Sequence, residues 1–177
     1  NIIRECECNE TGVLLIKGDN VFPGYLNTKS NEGTLLSDDW LNTGDLARID
    51  EDGFIWLTGR EKDLIIRSGH NIDPSSIEET LMSYESVTAA AAIGQPDPYA
   101  GELPCAYITL TSGATANLRE IEEFVRKNIP ERAAIPVYIE IMESLPLTRV
   151  GKIFKPALRL KAMQRVIDSM FQVANIN

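Results

Sequence analysis

From Leu145 to Arg165 the chain carries Arg149, Lys152, Lys155, Arg159, Lys161 and Arg165 and no acidic residue. A basic stretch of this kind can focus an anion such as a phosphate. A solvated helix face accounts for Arg159 to Arg165. It accounts less well for Lys152, because Leu147-Thr148-Arg149-Val150-Gly151-Lys152 reads as a loop, and a glycine ahead of the lysine lets the backbone come close to a ligand. His70 is the only histidine. No G-x-S-x-G elbow accompanies it, so it reads as a loop residue and not as an acid–base group. Cys6 and Cys8 form a C-x-C pair, but a tetrahedral metal site needs about four ligands; with one histidine and only Cys105 besides, these cysteines read as structural and no metal site is expected.

The elements that must position these residues follow from composition and period. The chain has 177 residues, 44% apolar and 24% charged, which fits one to two ordinary globular domains. A net charge of −9 argues against a binder of nucleic acid or of an anionic membrane over its whole surface. Val87 to Ile93, broken by Thr88, falls far short of the roughly 18 residues of a membrane span. No signal peptide opens the chain, and Asn1 in place of Met suggests a start that is not the natural one. Three scattered cysteines favour a reducing, cytoplasmic setting.

Gly12 to Lys17 reads as a strand, and Leu46 to Ile49 with Phe54 to Leu57 as a hairpin around Asp50-Glu51-Asp52-Gly53. Leu64 to Ile66 reads as a short strand closed by Ser68-Gly69-His70-Asn71. Asp73 before Pro74 marks a helix start, with Ile77 and Leu81 on one face. Val87 to Ile93 and Cys105 to Leu110 read as strands on either side of a Pro/Gly-rich loop, Gln95 to Pro104. A second helix runs from about Leu118 to Ile129, Val137 to Met142 is a strand, and Pro156 opens a last helix with an apolar stripe of Met163, Val166, Ile167, Met170 and Phe171.

Several of these segments together resemble a known family. Gly24-Tyr25, Trp40-Leu41-Asn42-Thr43-Gly44-Asp45, Asp52-Gly53-Phe54 leading to Gly59-Arg60-Glu61-Lys62-Asp63, and Gly69-His70-Asn71-Ile72-Asp73-Pro74 with Ile77-Glu78-Glu79 are similar, in that order, to the adenylate-forming superfamily. Gly94-Gln95-Pro96-Asp97, Gly101-Glu102 and Pro146-Leu147-Thr148-Arg149-Val150-Gly151-Lys152-Ile153 continue the likeness, and acyl-CoA synthetases are the nearest pattern. The resemblance implies a two-step reaction. A carboxylic acid attacks the α-phosphate of ATP to give an acyl-adenylate and pyrophosphate, and the thiol of coenzyme A then takes the acyl group, releasing AMP.

The resemblance also implies roles. Lys152 matches the catalytic lysine, whose ammonium stabilises charge between carboxylate and α-phosphate. Asp45 matches the aspartate that holds the adenosine ribose, where a carboxylate can accept from both vicinal hydroxyls; a turn residue after Gly44 is the plainer account. Arg60 matches an arginine on the ribose and phosphate side, against an ordinary ion pair with Glu61 or Asp63. Lys62 falls at the hinge between the large and small domains, where a torsion change would exchange the Lys152 face for the Gly69 face. Gly69 matches the glycine beside the pantetheine arm of coenzyme A, against a glycine required only by its turn. Thr111-Ser112-Gly113-Ala114-Thr115-Ala116 looks like the family's phosphate loop but lacks the Gly and Lys that should follow, and reads as a helix-capping turn. Ala133-Ala134-Ile135-Pro136 departs from an aromatic and a lysine before the proline, and Asn71 from an arginine, so no ligand contact is assigned to either.

The implied fold is α+β. Residues 62–177 would form a small mixed α/β C-terminal lid domain with a central sheet flanked by helices, and residues 1–61 the β-rich tail of a larger domain lying upstream. A few strands cut from their sheet are marginal, so the first segment is expected to be poorly ordered or to pair with another copy, leaving a homo-oligomer open. The phosphate loop and the segments for adenine, Mg2+ and the acyl pocket belong to that upstream domain, which would be the chain's main partner alongside the acid, ATP and coenzyme A. The leading reading is the C-terminal portion of a ligase for fatty or other hydrophobic acids, inactive alone. The alternatives are a ligase or adenylation domain loading a carrier protein, and a non-catalytic binding module on the same scaffold.

Overall fold

The structure, a computed structural model, describes residues 4–114 and 117–174. It comprises two compact units, Asn1–Asp63 and Leu64–Asn177.

The first unit is an antiparallel sheet of three strands: β1 (Gly12–Ile16), β2 (Leu41–Ile49) and β3 (Ile55–Arg60), in the order β1-β2-β3. The β2–β3 hairpin turns at Asp50 to Gly53, with Gly53 at φ 83° as a tight turn requires. Asp50 holds the turn, accepting from Asp52 N, Phe54 N and, at 2.6 Å, Trp56 Nε1. Those donors pull its carboxyl below the ordinary aspartate range, the indole N–H most of all. Leu46 and Ala47 are buried, whereas Ile49, Phe54, Ile55, Trp56 and Leu57 are more than half exposed.

The second unit is a five-stranded sheet with helices on both faces. Its path is β5 (His70–Ile72), β4 (Ile65–Arg67), β7 (Gly101–Leu110) and β6 (Val87–Asp97), with β8 (Tyr138–Ile141) parallel to β7. A parallel pair needs a crossover, and α2 (Leu118–Asn128) supplies it. Along β6 and β7 both faces are apolar because both are covered. Ala90, Ala92, Ala106 and Ile108 face one core with Ile77 and Leu81 of α1 (Pro74–Met82) and Ile121 and Val125 of α2; Ala91, Ile93, Cys105 and Tyr107 face a second with Leu158 and Ala162 of α3 (Lys155–Ala174). The α1 start is capped as its residues suggest: Asp73 accepts from Ser75 N at 2.9 Å and Pro74 takes the first helical position.

Three readings of the sequence are corrected. Gln95 to Pro104 is ladder for most of its length, pairing Gly94 with Pro104, Gln95 with Leu103 and Pro96 with Glu102. Pro96 is tolerated because, among the described residues, β6 has β7 as its only neighbouring strand, and edge strands can accommodate a missing donor. His70 is not in a loop but opens β5 opposite Arg67. The residues between them, Ser68 (φ 49°) and Gly69 (φ 85°), form a two-residue turn with both φ positive, the kind that matches strand twist. Finally, Met163, Ile167, Met170 and Phe171 are exposed and α3 packs through Leu158 and Ala162. The sheet offers a polar partner on that side: Arg165 lies 3.4 Å over the Tyr138 ring and donates to Gln95 Oε1 at 2.7 Å, which fixes the helix rotation.

Candidate functional site

In the first unit Asp45 and Arg60 face each other across β2 and β3. Arg60 Nε lies 2.9 Å from Asp45 Oδ1, so the arginine has an ion pair with Asp45. The strand is irregular here. Gly44 sits at φ 69°, Asn42 Oδ1 accepts from Gly44 N, and Thr43 Oγ1 accepts from Asp45 N. These local bonds twist the Asp45 carboxylate toward Arg60, leaving its second oxygen with no hydrogen bond among the described residues. Beside it, Phe22, Tyr25, Gly33, Thr34 and Leu41 to Gly44 line an open groove of about 390 Å³. Phe22 and Tyr25 meet edge to face at 4.8 Å. Lys62 lies in a single turn of 3₁₀ helix, Glu61–Asp63, at the end of this unit.

In the second unit, Lys152 stands on a small hairpin. Leu147 bridges Ile153, Thr148 N donates to Lys152 O at 2.7 Å, Lys152 N donates to Thr148 Oγ1, and Gly151 closes the turn at φ 79°. The backbone is clamped on both sides while the ammonium is exposed and has no partner among the described residues. A cation with no carboxylate of its own is available to a ligand's negative charge.

The base of that loop is tied down by a contact that sequence reasoning missed. Lys155, three residues on, pairs with Glu78 at 2.8 Å, and the same Glu78 oxygen accepts from Ala92 N. Both side chains are about four-fifths buried, so helix α1, strand β6 and the start of α3 are joined through one carboxylate. The one signal available was the lack of any acid within the basic run, which leaves its partners to be sought elsewhere in the chain.

Gly69 occupies the β4–β5 turn, where its positive φ by itself calls for glycine; a Cβ added there would meet nothing within 4 Å. Asn71 is exposed on β5 opposite Ile66. Ala133 accepts from Arg67 Nη1 at 2.7 Å, and Ile135 and Pro136 line an open groove with Arg67, Arg126 and Arg132. Of the turn at Thr111 to Ala116, Thr115 and Ala116 lie outside the described residues; α2 itself is capped by Asn117, which accepts from Arg119 N. Cys6 and Cys8 are exposed, and burial pushes the Cys105 thiol up to about 11.

Residues 76–152 match the model of the AMP-binding enzyme C-terminal domain. With the likenesses that follow, the chain is similar to the C-terminal part of adenylate-forming enzymes. It is 54% identical over 97% of its length to marinolic acid–CoA ligase of Pseudoalteromonas sp. (strain SANK 73390), and 38% identical over 84% to long-chain-fatty-acid–CoA ligase of Bacillus subtilis. It superposes on ATP-bound MatB of Rhodopseudomonas palustris with a TM-score of 0.83 and 30% identity, over 89% of this chain and 31% of that one. The chain spans 26% of the length of each of the two ligases.

Proposed function

We propose that this chain serves in an ATP-dependent carboxylic acid:CoA ligase that forms an acyl-adenylate and then an acyl-CoA. The observation that carries the reading is the Lys152 ammonium, exposed and without a partner among the described residues, on a loop whose backbone is clamped. In that role it neutralises charge growing between the attacking carboxylate and the α-phosphate, an effect worth about 10²–10³ in rate for one well-placed group. Asp45 accepts from the ribose hydroxyls through the oxygen its ion pair leaves open, and Arg60 both orients it and adds positive charge on the phosphate side.

Residues 1–61 act as the tail of a large domain and 62–177 as a mobile lid, with Lys62 as the hinge that presents first the Lys152 loop and then the Gly69 turn to the nucleotide. The named relatives act on marinolic acid and on long-chain fatty acids, which supports a hydrophobic acid as substrate and a place in fatty acid metabolism. Mg2+ would neutralise phosphate charge during adenylation. Among the described residues no three His, Cys, Asp or Glu gather to hold it, so no step is assigned to it here.

The test is carboxylate-dependent ATP–pyrophosphate exchange by the full-length enzyme. Exchange with hydrophobic acids, followed by transfer to free coenzyme A, is the expected result. Transfer only to a carrier protein would move the reading to a carrier-loading ligase, and absence of exchange would overturn it.

A further inference from the structure

Strand β4 meets β7 at one register pair, Arg67 with Gly101, and at one further backbone bond, Ser68 N to Ala100 O at 2.8 Å. The N–H of Ile66, one residue earlier, is taken by a side chain: Glu102 Oε2 accepts it at 2.8 Å. The carboxylate thus replaces a missing rung and ties the β4–β5 hairpin, with its Ser68-Gly69 turn, to the central strand. Room for it comes from β6. A Cβ built on Gly94 would stand 2.5 Å from Glu102 Oε2 and 2.6 Å from its carboxyl carbon. Gly94 is not in the left-handed region, so space and not backbone conformation accounts for the glycine. The Lys152 loop hangs on different contacts, those of Glu78 with Lys155 and Ala92.

We propose that Glu102, with the space Gly94 leaves for it, is a positioning residue for the Ser68-Gly69 turn and acts on transfer of the acyl group to the thiol, not on adenylate formation. This rests on the functional reading above. In that role Glu102 holds the turn past which the acceptor would run.

Four variants of the full-length enzyme test it: Glu102→Ala, Glu102→Gln, Gly94→Ala and the double variant Gly94→Ala/Glu102→Ala. Three quantities are read: carboxylate-dependent ATP–pyrophosphate exchange, single-turnover transfer from acyl-adenylate to coenzyme A, and amide hydrogen exchange of the peptide containing Ile66. Glu102→Ala is expected to slow transfer about ten-fold or more, to keep pyrophosphate exchange within about two-fold, and to deprotect the Ile66 peptide. Glu102→Gln keeps an acceptor oxygen and should restore most of the transfer rate. Gly94→Ala should reproduce the loss by displacing the carboxylate, and the double variant should be no worse than either single one. Equal loss of both half-reactions, losses that multiply in the double variant, or an Ile66 peptide still protected in Glu102→Ala would each overturn the proposal. A wild-type enzyme without carboxylate-dependent exchange would remove the functional reading and the half-reaction assignment together, while protection at Ile66 would still report whether Glu102 makes the tie.

Discussion

The two units are built from similar apolar fractions of strand, yet they use them differently. In the second unit β6 and β7 bury both faces, one against α1 and α2 and the other against α3, and Ile77, Leu81, Ile93 and Tyr107 are wholly enclosed. In the first, the three-stranded sheet and its hairpin turn carry Phe54, Ile55, Trp56 and Leu57 largely in the open, with Leu46 and Ala47 the core residues buried among those described. A two-faced sheet stabilises itself by burial, whereas a three-stranded sheet with exposed aromatics gains little until something covers it. The proposed ribose ligand Asp45 therefore rests on local devices, an ion pair, a glycine kink and side-chain caps. The proposed catalytic Lys152 rests on a loop anchored to a packed core.

Core truncation breaks this contrast most severely. Ile77→Ala should cost about 2–5 kcal/mol, read by chemical denaturation followed by circular dichroism, while Leu57→Ala on the open hairpin should change stability by less than about 0.5 kcal/mol. Similar losses for the two would mean that the hairpin is covered in solution.

The ion pairs sharpen the contrast at a smaller scale. Glu78→Ala strands a largely buried ammonium and the Ala92 N–H, for an expected loss of about 2–4 kcal/mol. Asp45→Asn breaks a pair whose arginine side chain is 51% exposed, so it should cost no more than about 1 kcal/mol while weakening nucleotide binding in the full-length enzyme. Equal losses at the two sites would contradict the difference in burial.

The smallest effect is acid-dependent. Asp50 has a lowered pKa, so its hold on the hairpin is complete above the ordinary aspartate value and is lost as pH falls through the depressed one. Trp56 fluorescence should report that acid transition, and Asp50→Ala should abolish it. A transition that survives the substitution would place its origin in another group.

What could be read in the sequence was what is local. Asp73-Pro74 announces a helix start because cap and first position are neighbours, and the Lys152 loop stands out because glycine and lysine are adjacent. Gln95 to Pro104 was misread for the same reason: proline and glycine suggest a loop, and only the partner strand shows that an edge ladder accepts them. The α3 stripe has the right period, but period does not say which face meets the sheet, and Arg165 with Gln95 and Tyr138 decides that from afar. Glu102 and Ile66 are 36 residues apart, and no spacing rule connects an acid to an amide it will meet only after folding. The candidate side chains could be named from the sequence, while the contacts around them could not.

The central claim is that Lys152 serves adenylate formation and not the transfer that follows. It is tested most directly by Lys152→Ala in the full-length enzyme, with acyl-adenylate formation and transfer from supplied acyl-adenylate to coenzyme A measured separately. The account predicts a loss of about 10²–10³ in the first and little change in the second. Adenylate formation at the wild-type rate, or equal loss in both steps, would contradict it.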